Sequence, residues 1–374
     1  MFRELEETYR GLLIWDDNTI LLYIFIILMG TGLAKLSTYN KVNSQLKISY
    51  NQFYIYSFLI FLFFLIFRDV GTDLQMYKTI YNNCELDSSI FNNQEPGFLL
   101  LNRLLKWFDF SDTFVIGIWG GITLILYFST IHFFSSKINV SLSIFAFGCL
   151  FYFQSFNLVR IYLASGILIY ASKYLFNNEL KKYLLIILLT VFIHFSAILA
   201  VIPLIFYWLY KLNHRLFYCI YFLSYLCGFV LTNFLSSIPI FARYDEYLSG
   251  GMIKGGIGFF QITINIPLLL LYYYSKNKIN NTRILSIFLI YTLSSLFIGI
   301  LSYRIMMLGR SLVYYNIIYI ICVPYVLKGL KNYGDKNERL ICTCFYIYFM
   351  WRFYQYLKEY LYFDSIMPYK FIDI

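Results

Sequence analysis

The residues of this chain that can do acid–base or anion chemistry are few, and they sit at the mouths of apolar segments. "FLIFRDVGTDLQMY", residues 64–77, places Arg68, Asp69, Asp73 and Tyr77 around a glycine. "QEPGFLLLNRLLKWF" contributes Glu95, "QSFNLVRIYL" contributes Arg160 with Gln154 and Asn157 beside it, and "FIHFSA" contributes His194 and Ser196. "IFARYDEYLSGG" carries Arg243, Tyr244, Asp245 and Tyr247, and "SYRIMMLGRSLVYY" carries Arg304 and Arg310, the sole charges within 284–327. Arginine presents a planar fork of donors that matches phosphate. Asp73, Glu95 and His194 are candidate bases, because a carboxylate or imidazole within hydrogen-bond reach of a hydroxyl can take its proton. A neighbouring guanidinium keeps such a carboxylate ionised. Each residue also has a plainer role available: a snorkelling arginine, a helix-capping carboxylate, a packed histidine.

The elements that must position these residues are membrane helices. The 374 residues are 60% hydrophobic, 22% aromatic and only 13% charged, whereas soluble domains run at about a quarter charged. Apolar stretches near the roughly 20 residues of a bilayer span recur at 19–35, 50–67, 113–134, 138–153, 160–176, 182–194, 196–210, 216–235, 257–275, 284–302, 311–327 and 340–357. The backbone in lipid needs internal partners and no barrel alternation is visible, so the spans are helical. The fold class is an all-α polytopic membrane protein of 10–12 transmembrane helices forming a single integral membrane domain over 1–374. The count turns on 181–215, which reads either as one long span or as a hairpin broken near His194, with basic residues at both ends favouring the hairpin. The acidic residues 1–19 are the wrong charge for a cleavable signal peptide.

The net charge of +10 is explained by topology. Alternate loops at 35–49, 135–138, 173–183, 211–215, 276–283 and 328–339 hold 16 Lys and Arg but only Glu179, Asp335 and Glu338. By the positive-inside rule these loops face the cytoplasm and both termini lie outside. No nucleic-acid partner is implied. His132 and His214 fall at cytoplasmic ends, where solvation suffices. Five arginines (Arg68, Arg160, Arg243, Arg304, Arg310) lie at the opposite face, where topology least favours them, and intramembrane or near-membrane cations are functional candidates by default. Together they point to an anion site in the outer half of the bilayer.

The outer loop 68–112 has structure of its own. Leu74, Tyr77, Ile80 and Tyr81 recur at helical spacing, and Pro96 suits the first turn of a second helix with Phe98, Leu101, Leu105 and Phe108 on one face. Lys106 and Trp107 are interfacial types. The expectation is one or two amphipathic helices on the outer leaflet. The seven cysteines show no metal-ligand spacing, Cys342 and Cys344 being too close and too poor in partners.

"FRDVGTDLQMYKTIY" followed by "EPGFLLLNRLLKWF" resembles the outer-loop signature of the EpsG-type, Wzy-like polysaccharide polymerases. "NLVRIYLASGILIYASKYL" is similar to the family's next element, except that Ile161 stands where Gln usually follows Arg. "IHFSAIL" resembles its His-x-Ser element, and "MPYKF" resembles the way many members end. The resemblance implies a GT-C-like fold and a metal-independent membrane glycosyltransferase in the bacterial plasma membrane with its site facing outside. It would polymerise undecaprenyl-pyrophosphate-linked repeat units into O-antigen, capsule or exopolysaccharide without a soluble cofactor. Its partners would be a lipid-linked glycan donor, a lipid-linked acceptor, the bilayer and a chain-length regulator protein. On that footing Arg160, Arg304 and Arg310 hold pyrophosphate, Arg68 and Asp73 organise the acceptor, and Asp73, His194 or Glu95 is the base. Arg243 adds to the anion site, while Tyr77, Tyr244, Tyr247 and Trp107 offer rings to sugars. A lipid-linked oligosaccharide flippase is the main rival; it calls for an internal repeat and cations spread along the spans, and neither is visible. A sugar O-acetyltransferase calls for carboxylate–histidine sets at the inner face, which are absent from the sequence.

Overall fold

The computed structural model describes residues 16–39, 50–84, 95–234, 259–302 and 306–372. These fold as helices: α1 (Asp17–Tyr39), α2 (Tyr50–Ile66), α3 (Leu74–Asn82), α4 (Pro96–Trp107), α5 (Asp112–Phe134), α6 (Val140–Phe147), α7 (Val159–Phe176), α8 (Leu180–Val191), α9 (Ile202–Leu212) and α10 (His214–Phe234). They continue with α11 (Phe259–Ser275), α12 (Thr282–Ser302), α13 (Met306–Arg310), α14 (Val313–Asn316), α15 (Tyr319–Tyr333) and α16 (Glu338–Asp364). Among the described residues there is no strand, only an isolated bridge between Arg68 and Phe371. Among the described residues five stretches are long and apolar enough to cross a membrane: Asp17–Thr38, Asp112–Phe134, Phe195–Leu212, Thr282–Ser302 and Leu308–Tyr333. The chain is an all-α polytopic membrane protein.

Local sequence sets the helix ends. Asp16 Oδ2 accepts the Thr19 N–H at 3.1 Å, Ser111 Oγ accepts the Phe114 N–H at 3.4 Å, and Asn139 Oδ1 accepts the Leu142 N–H at 3.3 Å. Each side chain satisfies a donor that the first helical turn leaves free. The 181–215 segment is a hairpin. α8 stops at Val191, a 3₁₀ segment covers Phe195–Val201, and α9 returns. Lys211 Nζ donates to Asn178 Oδ1 at 3.0 Å, which brings the start of one arm beside the end of the other.

The bundle has two polar ends. At one, Lys278 Nζ meets Asp335 Oδ2 at 2.6 Å, and Lys328 Nζ donates to the carbonyls of Ser136 (2.9 Å) and Ile138 (3.1 Å). At the other, α3 and α4 form a cap. Leu74, Tyr77, Ile80, Phe98 and Leu99 pack on Val115, Ile116 and Trp119 of α5 and on Val159 and Leu163 of α7. Trp119 Nε1 donates to Asn102 Oδ1 at 3.0 Å, satisfying the indole N–H inside this small core. Trp107, at the end of α4, is 80% exposed.

Residues 366–372 run back across the capped end. Asp69 N–H donates to Lys370 O at 2.8 Å and Ile372 N–H to Phe67 O at 3.0 Å. Tyr369 donates its hydroxyl to Phe64 O (2.9 Å) and its N–H to Thr19 Oγ1 (2.9 Å). The Tyr23 hydroxyl bonds Ile366 O. This strap ties α1, α2 and the 67–70 loop together.

Candidate active site

Glu95 precedes α4, His194 lies in the break of the hairpin, and Arg160 is the second residue of α7. One backbone contact registers the first two: the Gly97 N–H donates to Phe192 O at 2.9 Å. A Cβ on Gly97 would come within 2.7 Å of that same oxygen, so only glycine permits the approach. Glu95 is then clasped from both sides. Its Oε2 lies 2.5 Å from Arg160 Nη1 and its Oε1 2.7 Å from His194 Nδ1. A carboxylate only accepts, so Nδ1 carries the proton and Nε2 is left as the other ring nitrogen for chemistry. Glu95 is 5% exposed. Burial pushes its carboxyl upward, but the His194 hydrogen bond and the Arg160 charge outweigh that and hold it at about 2.

Asp73 stands on an adjoining turn. Gly71 has φ +121°, a left-handed conformation that disfavours side chains, and a Cβ there would meet Phe156 O at 3.2 Å. The turn is anchored to the segment before α7: Asn157 Oδ1 accepts the Asp73 N–H at 2.7 Å and the Thr72 hydroxyl at 3.1 Å. Asn157 is 2% exposed, so its register is fixed. Among the described residues the Asp73 carboxylate accepts no hydrogen bond. Burial raises its carboxyl above 3.8, with Arg310 and Arg160 charges pulling the other way. Arg310, whose charge acts on Asp73, is itself exposed.

Two of the expected ligand residues are buried. Arg68 is 3% exposed; Nη1 donates to Leu65 O, Nη2 to Phe156 O at 3.1 Å, and the guanidinium stacks on the Phe156 ring at 4.9 Å. Burial lowers its pKa to about 10. It therefore fastens the loop under Asp73 to Leu65 O and Phe156 O. Tyr77 is likewise buried, one helical turn beyond Asp73, where its ring and that of Phe98 lie 5.6 and 5.7 Å from the Arg160 guanidinium. It packs against Arg160. Arg243, Tyr244, Tyr247 and Arg304 lie outside the described residues.

Tyr314 belongs to the site although its sequence offers no mark among 38 tyrosines. Its hydroxyl lies 2.9 Å from Ser196 Oγ, and the Glu95 charge reaches it. The site thus gathers Asp73, Glu95, Arg160, His194, Ser196, Tyr314 and Arg310 at one end of the bundle, under an amphipathic cap.

An all-α polytopic membrane protein with a one-ended cluster of arginine, carboxylate and histidine is the class that fold and site define. The chain belongs to the EpsG family, whose match covers residues 51–371. This is a Wzy-like polymerase family, and membership places the chain in polysaccharide biosynthesis at a membrane. Comparison with the curated proteins and with the solved structures finds no match.

Proposed function

We propose that this protein joins lipid-linked oligosaccharide repeat units into a polysaccharide on the outer face of a bacterial plasma membrane. The growing chain on undecaprenyl pyrophosphate is the donor, and the terminal sugar of a second lipid-linked unit is the acceptor. The observation that carries this reading is the Arg160–Glu95–His194 cluster beside an uncommitted Asp73. Asp73 takes the proton of the acceptor hydroxyl. That oxygen bonds to the anomeric carbon of the donor as the bond from that carbon to the pyrophosphate oxygen breaks, and the electron pair leaves with the pyrophosphate. Arg160 and Arg310 face the growing negative charge, and stabilising charge as it develops is usually the largest single contribution to catalysis. Glu95 holds Arg160 and His194 in place. In this orientation both chain termini and the α3–α4 cap face outside, and the Lys278–Asp335 end faces the cytoplasm, as the positive-inside rule requires.

A deletion strain tests the reaction. It should export single repeat units and lose the ladder of longer chains; loss of all exported glycan would instead indicate a flippase. His194→Asn tests the division of labour. Its amide N–H replaces the Nδ1–H donor to Glu95, so a positioning His194 predicts retention of at least about a tenth of the ladder-forming rate. A drop of about 10²-fold or more would make Nε2 the base in place of Asp73.

A further inference from the structure

Arg352 lies at the middle of α16, a helix of 27 residues. α16 starts beside the Lys278–Asp335 end and leads into the strap at the Arg68 end, so it traverses the bundle. Within the expected span 340–357 Arg352 lies five residues from the end nearer the strap, about 8 Å along the helix axis at 1.5 Å per residue, which is below the interface of a hydrocarbon layer about 30 Å thick. Its side chain does not reach for an end. Nη1 donates to the Tyr348 hydroxyl, one turn back, at 3.2 Å. Among the described residues no carboxylate pairs with it.

The bundle is polar where this cation sits. The Tyr348 hydroxyl donates to Ile264 O at 2.9 Å. Asn265, fully buried, accepts the Tyr319 hydroxyl at 3.3 Å and donates to Gln261 O at 2.8 Å. The Arg352 charge extends to Tyr319, and the Gln261 side chain packs on Gly299 of α12. Hydroxyls and amides solvate a guanidinium without neutralising it. A cation at this depth lacking a carboxylate is costly until an anion joins it.

We propose that Arg352 and the polar shelf between α11, α12 and α16 bind the phosphate or pyrophosphate end of a polyprenyl-linked lipid. A glycerophospholipid keeps its phosphate at the interface, because glycerol and two ester groups sit below it. A polyprenyl lipid carries its phosphate directly on one flexible chain, which can slide along a helix. α16 provides the track: Ile347 and Tyr354, seven residues apart, are exposed on it at 65% and 50%. The shelf is a waypoint for the lipid carrier below the Asp73–Arg160 end, and this assignment rests on the polymerase reading.

The test uses the purified full chain in detergent, with binding read by native mass spectrometry. Undecaprenyl pyrophosphate, undecaprenol, phosphatidylglycerol and inorganic pyrophosphate are the probes. Undecaprenyl pyrophosphate should bind the wild type and lose about tenfold or more in affinity in Arg352→Gln. Arg352→Lys should lie between, and undecaprenol binding should not change. Equal affinity of wild type and R352Q overturns the site while leaving the polymerase reading standing. No binding of undecaprenyl pyrophosphate by wild type overturns both. A loss in R352Q that is as large for phosphatidylglycerol reduces the shelf to a general lipid contact, and one as large for inorganic pyrophosphate removes the lipid from the assignment. Photo-crosslinking of a diazirine-bearing polyprenyl pyrophosphate to the wild type reads the same question without a variant. Label on α11 or α16 supports the shelf, and label confined to the Asp73–Arg160 end overturns it.

Discussion

Glu95→Gln is expected to abolish the long-chain ladder, with a rate loss of about 10²-fold or more, and to lower the melting temperature of the purified protein. The glutamine keeps the shape of the side chain but not its charge. One carboxamide oxygen can accept from either Arg160 or His194, and the amide –NH₂ then faces the other donor. Arg160, whose side chain is 15% exposed, would be left buried without its counter-ion, a situation that costs about 3–5 kcal/mol when one member of a buried pair is removed. The pH behaviour follows from the depressed pKa. Held at about 2 in the fold, Glu95 contributes stability that is complete above the ordinary range near 4.5 and lost as pH falls through about 2. Glycan electrophoresis from a complemented deletion strain and thermal unfolding in detergent are the measurements. An intact ladder with unchanged melting would falsify the role given to Glu95.

Asp73→Asn should act differently, lowering kcat by about 10²- to 10⁴-fold while leaving folding and donor affinity close to wild type. Asparagine retains the backbone N–H that Asn157 Oδ1 accepts, so the turn survives and only the proton acceptor is lost. If Asp73 is the proposed base, its ionised carboxylate is the working form. The rate should therefore climb with pH through a midpoint above 3.8, since burial outweighs the Arg310 and Arg160 charges at Asp73. Glu95, ionised throughout that window, adds nothing to the limb. A pH–rate profile in a reconstituted assay checks this. If D73N retains the rate, or retains the acid limb, the base lies elsewhere.

Helix placement was legible because lipid imposes strict rules. The expected span 113–134 lies within one residue of Asp112–Phe134, and the break near His194 falls where the hairpin turns. The amphipathic spacing of Leu74, Tyr77, Ile80 and Tyr81 marked the buried face of α3. Less legible was which arginine does what. Arg68 and Arg160 each stand at the mouth of a span, and sequence spacing does not say that backbone carbonyls absorb one guanidinium while Glu95 meets the other. That depends on Leu65 O and Phe156 O being left without helical partners, a property of the folded turn. The pairing of Glu95 with His194 spans 99 residues and rests on a Gly97–Phe192 contact with no sequence signature. Arg352 went unmarked for a different reason. It lies inside an otherwise apolar run, and hydropathy over 340–357 averages a single charge away.

The strap of residues 366–372 also sets a clock. Arg68 pairs with Phe371, roughly 300 residues later in the chain. At about 5–20 residues per second of synthesis, the loop bearing Asp73 waits some 15 seconds to a minute for the segment that closes over it. During that interval α1 and α2 have been made but the loop bearing Asp73 is not yet pinned, so on the proposed reading a half-made chain holds no competent site. A fragment ending at Asp364 should accordingly keep its helices and show fast amide exchange over 67–73. Slow exchange there in the fragment would mean that the loop sets itself without the strap.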